Sequence, residues 1–292
     1  MRSAGAFATV LPRSSDTQSG SERKPDAAER EANANVSRAR RNVKQTRTLV
    51  GRSSGMRSED LHLRLEWRIF AYMTKLIIFD LDGTLLDTVE DLGNATNHAL
   101  RTLGYPEHPM DAYKIFCGRG IYNLFRAALP PQENNEENVA RMAALFLPWY
   151  DAHICDRTRP YPGIMDMMDR LHQAGIRFAL ASNKYQDGAE KLIRIFFEKY
   201  GFVKVLGQRE GQPIKPDPAI VRQAMAAAPD VKLDEVLYIG DTNTDMQTGL
   251  NAGVRTAGVL WGFRTREELA AYHPWRIVSN ARELTEAILN ET

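Results

Sequence analysis

From Lys75 onward, short apolar runs alternate with longer amphipathic stretches, and this alternation narrows what the chain can become more than any other feature. The runs Leu76–Phe79, Ile176–Ala181, Val203–Leu206, Val236–Ile239 and Thr256–Leu260 predict strands, with a shorter sixth at Arg276–Val278. Helical patterns fill the intervals at Ile164–Ala174, Gln186–Tyr200, Pro218–Ala228 and Thr244–Ala252, and a last one falls at Ala281–Leu289. Apolar strands separated by helices predict an α/β fold: a doubly wound, Rossmann-like parallel sheet covered on both faces. In such sheets ligands bind beyond the carboxyl ends of the strands.

The rhythm breaks once. Between about Thr88 and Arg159 there is no strand pattern, only helix-like stretches at Val89–Leu103, Ile121–Leu129 and Asn135–Ile154, before Pro160–Gly163 turns the chain back. The expected organisation is an α/β core of residues 73–88 and 160–292, with a helical cap over 89–159 inserted after the first strand. Residues 1–72 are rich in Ser, Arg, Ala, Asn and Gly and lack apolar periodicity. They are expected to be a disordered basic tail or the product of a start codon taken too early, with Met73 as a natural start. Asp16, Glu22, Asp26, Glu29 and Glu31 in that stretch argue against a transit peptide or a phosphate-binding arm.

Charge and composition exclude several classes. Residues 1–72 carry 14 Lys and Arg against 8 Asp and Glu, a net +6, and the remainder carries 24 against 29, a net −5. A net-negative body opposes nucleic-acid binding. No apolar stretch approaches the roughly 18 residues of a membrane span, and no secretory signal is apparent. Two cysteines, Cys117 and Cys155, make no disulfide framework and suit a reducing cytosol. The reading is a cytoplasmic protein, monomer or homodimer, with no nucleic-acid or membrane partner.

Polar clusters follow the predicted strands. Asp80 and Asp82 come after Leu76–Phe79; Ser182 and Asn183 after Ile176–Ala181; Lys215 stands in IKPDP; and GDTNTD, with Gly240, Asp241 and Asp245, follows Val236–Ile239. A parallel sheet can bring all of them to one edge. Clustered carboxylates stay ionised only with positive charge among them, and hard oxygen ligands favour Mg2+ joined to a substrate phosphate. Lys215 would supply a point charge to phosphoryl oxygens, with Ser182 and backbone amides near Gly83 and Thr84 as donors. A carboxylate in line with phosphorus can attack it and become an aspartyl-phosphate.

DLDGTLLDT, SN, KPDP and GDTNTD, in this order, resemble the four signature motifs of the haloacid dehalogenase superfamily, over roughly Thr74–Thr292. The helical insertion and GVLWGFRTREEL at 258–269 resemble its phosphoglycolate phosphatase-like branch. The resemblance implies a magnesium-dependent phosphomonoesterase acting on a small phosphorylated metabolite, with 2-phosphoglycolate foremost. It implies Asp80 as nucleophile and Asp82 as general acid, then base, and Ser182 and Lys215 as holders of the phosphoryl group. The Mg2+ ligands it implies are the Asp80 side chain, the Asp82 backbone carbonyl and the Asp241 side chain, with Asp245 supporting them from behind. Gly83, Thr84, Asn183 and Arg119 complete the candidate substrate-binding set. A hexose-phosphate mutase and an inorganic pyrophosphatase use similar aspartates and stand as rivals. So does a binding or regulatory protein retaining the fold.

Each motif alone has a plainer reading: a DxD pair as a solvated turn, SN as a cap, KPDP as a helix start. Their joint occurrence in order carries the inference. In Cys117–Gly118–Arg119–Gly120 the glycines would let backbone approach a ligand and Arg119 meet an anion; equally, it is a helix-entry turn with a solvated Arg119. Cys117 reads as packing, and the histidines at 62, 98, 108, 153, 172 and 273 form no i, i+4 ligand pair. Trp149 and Tyr150 read as core, and Trp261–Gly262–Phe263 as a rim near the cleft.

Overall fold

A computed structural model describes residues 74–290. The tail expected over residues 1–72 therefore lies outside the described residues. The sheet has six parallel strands: β1 (Leu76–Phe79), β4 (Arg177–Tyr185), β5 (Lys204–Gln208), β6 (Val236–Gly240), β7 (Arg255–Val259) and β8 (Arg276–Val278), in the order β5-β4-β1-β6-β7-β8. All four residues of β1 are buried, because β1 is central and helices cover both faces. Leu76 and Ile78 face one apolar cluster with Val221 and Tyr238, while Ile77 and Phe79 face the other with Leu171 and Phe178. The period-2 alternation of a strand thus feeds two cores.

The order decides where a site can form. From β1 the chain builds outward through β4 and β5, then crosses back to place β6 on the other flank of β1. Ligand-binding crevices open at such reversals, beyond the strand ends. The ends of β1, β4 and β6 are therefore neighbours, although about a hundred residues or more separate β1 from either partner in sequence.

Helices α1 (Val89–Thr102), α2 (Met110–Phe116), α3 (Ile121–Ala128) and α4 (Glu136–His153) form the segment between the first strand and the rest. α2 is absent from the sequence expectation; its seven residues MDAYKIF bury only Tyr113, too little periodicity to stand out. Also unexpected is a two-residue antiparallel ribbon, β2 (Leu86–Asp87) with β3 (Arg159–Pro160), which ties the two crossings into and out of the helical segment. Strands this short carry no legible pattern.

Asp91 reinforces that junction. Its buried carboxylate accepts from Arg157 N (3.0 Å), Thr158 N (2.8 Å) and Thr158 Oγ1 (2.7 Å). The remaining helices are α5 (Ile164–Gln173), α6 (Gln186–Phe197), α7 (Ala219–Ala226), α8 (Asn243–Ala252), α9 (Arg266–Ala270) and α10 (Ala281–Leu289). α9 opens with a Thr265/Glu268 capping box, a signal present in the sequence as TREE. None of the helices among the described residues is long and apolar enough to cross a membrane.

Candidate active site

Asp80 continues the β1 ladder by one residue, its N–H donating to the Ile239 carbonyl at 2.9 Å. After it, Thr84, Leu85 and Leu86 all donate backbone N–H to the Leu81 carbonyl, winding a tight turn. That turn needs Gly83, which sits at φ +88°, where a Cβ would come within 2.4 Å of Asp241 Oδ2. On the other side a Cβ on Gly262 would lie 2.3 Å from Asp241 Cβ. Asp241, at the end of β6, is thus seated between two glycines. Thr84 Oγ1 donates to its Oδ1 and the Phe263 N–H to its Oδ2, both at 2.8 Å.

Asp245 lies one turn into α8, behind this pair. Its Oδ2 accepts from Thr242 N (3.0 Å) and Thr242 Oγ1 (2.6 Å), capping the helix. Its Oδ1 accepts from Lys215 Nζ (2.7 Å) and Tyr238 Oη (3.0 Å). Both oxygens are therefore occupied by the protein. Lys215 reaches in from the loop after β5 and also stands 3.0 Å from Asp80 Oδ1. That approach lies off the hydrogen-bonding direction, so this buried carboxylate oxygen has an ionic partner but no hydrogen bond. The Ser182 hydroxyl lies beside the same carboxylate and favours its ionised form.

The electrostatics follow from burial. Removal from water pushes the Asp80 carboxyl up to about 6, against the pull of Lys215 and with further help from the Asp245 charge. Asp241 is driven well above the usual carboxylate range, first by burial and then by Asp245 and Asp80. Burial works against the charged form of Lys215 as well, yet the Asp245 and Asp80 carboxylates hold it well above its ordinary value. Carboxylate oxygens of Asp80, Asp241 and Asp245 all lie within 4.8 Å of one another. One buried ammonium against three buried carboxylates leaves an excess of negative charge, and an oxygen without a hydrogen bond points to where a divalent cation would be accepted.

Asp82 faces differently. Its carboxylate, 16% exposed, takes Lys184 Nζ at 3.1 and 3.4 Å, and that ammonium also donates to Tyr150 Oη on α4 at 2.8 Å. The two aspartates of the DxD pair thus meet different partners. Asn183 bridges parts of the site: its Oδ1 accepts the Lys215 N–H (2.9 Å), and its Nδ2 donates to Gly118 O (3.3 Å). A cleft opens among Asp80, Asp82, Ser182 and Lys184 on the core side and Leu92, Cys117, Gly118, Gly120, Ile121 and Leu124 on the helical side.

The sequence-derived residues are unequally placed. Asp80, Asp82, Ser182, Asn183, Lys215, Asp241 and Asp245 share one neighbourhood with Gly83 and Thr84. Arg119 does not: its flanking glycines line the cleft, but Arg119 is exposed and lines a separate groove with Ile115, Phe263 and Glu268. Ser182 and Asn183 stand within β4, which runs to Tyr185 with an irregular register after Ala181, instead of beyond its end. Lys184, Tyr238 and Arg264 have no place among the sequence-derived residues, and Tyr150, expected in the core, is buried there and also accepts from Lys184. Lys184 adjoins the SN pair and could have been found there; Tyr238 reads only as strand interior. Cys117 is held at about 12 by burial and the nearby Asp82 charge, an unreactive thiol as its packing role suggests.

Residues 77–259 match the family model of the haloacid dehalogenase-like hydrolases. The chain belongs to that family. Within it, the phosphoglycolate phosphatase of Vibrio parahaemolyticus is 32% identical over 223 residues, 73% of this chain and 96% of that protein. Phosphoglycolate phosphatase 1 of Pseudomonas aeruginosa is 30% identical, over 73% of this chain and 79% of its own length. A crystal structure from Lactobacillus delbrueckii subsp. bulgaricus, named for the phosphoglycolate phosphatases, superposes with a TM-score of 0.69 at 31% identity, covering 75% of this chain and 99% of its own. The chain is thus a haloacid dehalogenase-like phosphatase similar to the phosphoglycolate phosphatase branch, and its six-stranded parallel sheet is the α/β core of that family.

Proposed function

We propose that the protein is a magnesium-dependent phosphomonoesterase that works through an aspartyl-phosphate on Asp80, with 2-phosphoglycolate as the leading substrate, inside a reducing cytosol. What carries this reading is the division of labour in the DxD pair: Asp80 buried beside Lys215 and Ser182, Asp82 turned to the cleft.

An Asp80 carboxylate oxygen attacks phosphorus as the ester P–O bond breaks, and Asp82 passes a proton to the departing oxygen. Water then surrenders a proton to Asp82 and attacks phosphorus, the Asp80–phosphorus bond breaks, and phosphate leaves. Lys215 holds Asp80 in place and offsets charge on the phosphoryl oxygens, while Ser182 and the amides of the Gly83 turn donate to them. Asp80, the Asp82 backbone carbonyl and Asp241 would hold Mg2+, with Asp245 fixing Lys215 behind them; the ion, when bound, neutralises the carboxylates and polarises the phosphoryl group. Helices α1–α4 serve as a cap that closes the cleft to bulk water.

The test is phosphate release with and without Mg2+ from 2-phosphoglycolate, hexose phosphates, nucleotides and pyrophosphate. Turnover of phosphoglycolate that falls by about 10³-fold or more in Asp80→Asn is expected, as for loss of a nucleophile. Turnover confined to pyrophosphate or to sugar phosphates would move the substrate. Retained turnover in Asp80→Asn would sink the mechanism.

A further inference from the structure

We propose that Lys184 is the specificity-determining residue of this site, and that it receives an acid group, a carboxylate, carried by the leaving group of the substrate. The inference rests on the phosphatase reading and deepens it by assigning the chemistry of the part of the substrate that is not phosphate.

Among the described residues that line the cleft, Lys184 is the only cation. Lys215 is engaged by Asp80, Asp245 and Tyr238, and Arg119 lines the other groove. The Lys184 ammonium is almost completely buried, 1% exposed, so it is not a solvated surface charge. It carries three protons. They meet Asp82 Oδ1 at 3.1 Å, Asp82 Oδ2 at 3.4 Å and Tyr150 Oη at 2.8 Å, and the Tyr150 ring centroid also lies 4.7 Å from the nitrogen. The longest of these contacts, 3.4 Å to Asp82 Oδ2, is the one that an anion entering the cleft would replace.

Position sets how far the acid group stands from phosphorus. Ser182 and Lys184 are two residues apart on β4, about 6.6 Å of extended chain, and the Lys184 N–H reaches back to Ser182 Oγ at 3.3 Å. Asp80 and Asp82 repeat the two-residue step on the adjoining chain. The phosphoryl group belongs with Asp80 and Ser182, so the leaving oxygen belongs with Asp82, and Lys184 Nζ is only 3.1 Å from Asp82. An anion that contacts Lys184 must therefore sit within a few bonds of the ester oxygen. The opposite wall, Leu92, Cys117, Ile121 and Leu124, offers no charge to a long polar tail. A two- or three-carbon acid phosphate meets all three conditions.

The experiment compares kcat/KM for 2-phosphoglycolate and for 2-hydroxyethyl phosphate, which replaces the carboxylate by a hydroxymethyl group, in wild type, Lys184→Met and Lys184→Gln. Wild type is expected to prefer the acid, and either substitution to lower the ratio of the two kcat/KM values by about 10²-fold, the scale for removing one member of a buried charge pair. An unchanged ratio, with both substrates losing equally, would mean that Lys184 serves only Asp82 or the fold and would overturn the inference. A wild type indifferent to the carboxylate overturns it without recourse to the variants, should they fail to fold. Absence of wild-type turnover on both compounds strikes the phosphatase reading instead. Calorimetric affinities of the same two compounds for wild type and Lys184→Gln then decide the inference: acid-selective binding that Lys184→Gln abolishes supports it, and equal binding refutes it.

Discussion

At the scale of single residues, the site is a charge imbalance held in place by packing. Asp80 is raised to about 6 by burial, so in the metal-free protein its carboxyl binds protons more tightly folded than unfolded. Its stabilising contribution is full below the ordinary carboxylate value and is lost as pH rises through about 6. Metal-free protein should therefore lose stability between pH 4 and 7, and Asp80→Asn should recover part of it at pH 7–8 while abolishing turnover. Each kilocalorie regained would raise the melting midpoint of a domain of this size by about 2–4 °C. Thermal scans in a chelator across that pH range check both statements; a midpoint that climbs steadily from pH 4 to 7 would contradict them. The residue types at Asp80, Ser182, Lys215 and Asp241 were legible from motif order. The dependence of Asp241 on Gly262 was not, because 21 positions separate them and only the folded loop brings the Phe263 amide to the carboxylate.

At the scale of elements, the junction between sheet and helical segment rests on Asp91. Four hydrogen-bond contacts from Arg157 and Thr158 converge on a carboxylate in the first turn of α1, a position that also suits the helix dipole. Removing it would leave buried N–H groups without acceptors. Asp91→Ala is expected to cost about 2–4 kcal/mol, the penalty for a few unsatisfied buried groups, measured by urea denaturation. A change below about 0.5 kcal/mol would show that the ribbon β2–β3 holds the junction without it. The core strands and most helices were readable because their period is long and their apolar contrast strong. The helix α4 continues through Pro148, whose missing N–H usually ends a helix; burial of Met142, Phe146 and Tyr150 along one stripe outweighs that loss.

At the scale of the whole described fold, several contacts join helical segment to core around the cleft. Arg264 donates to the carbonyls of Lys114 (2.7 Å), Cys117 (3.0 Å) and Ile115 (3.3 Å), covering the carboxyl end of α2. A guanidinium there meets both the unpaired carbonyls and the negative end of the helix dipole. Tyr185 donates to Asp151, and Lys191 Nζ to the Asp151 carbonyl at 2.5 Å, at the end of α4. Arg264→Ala should speed amide exchange across Met110–Gly118 and reduce kcat/KM about 10-fold, with the sheet strands unaffected. Unaltered exchange in that segment would mean that Arg264 does not restrain it.

Apolar periodicity and the order of four short motifs were enough, by themselves, to specify a parallel α/β sheet with flanking helices. Both are local properties: burial on two faces selects the residues of a strand, and each motif is contiguous. The partners of Asp82 and the fate of Arg119 were decided only by the tertiary structure. Lys184 and Tyr150 come from different elements, and Arg119 leaves the cleft because its loop is turned by contacts with Asn183 and Arg264. Side-chain direction in a glycine-flanked loop depends on what the loop packs against, and that information is distributed over residues far apart in the chain.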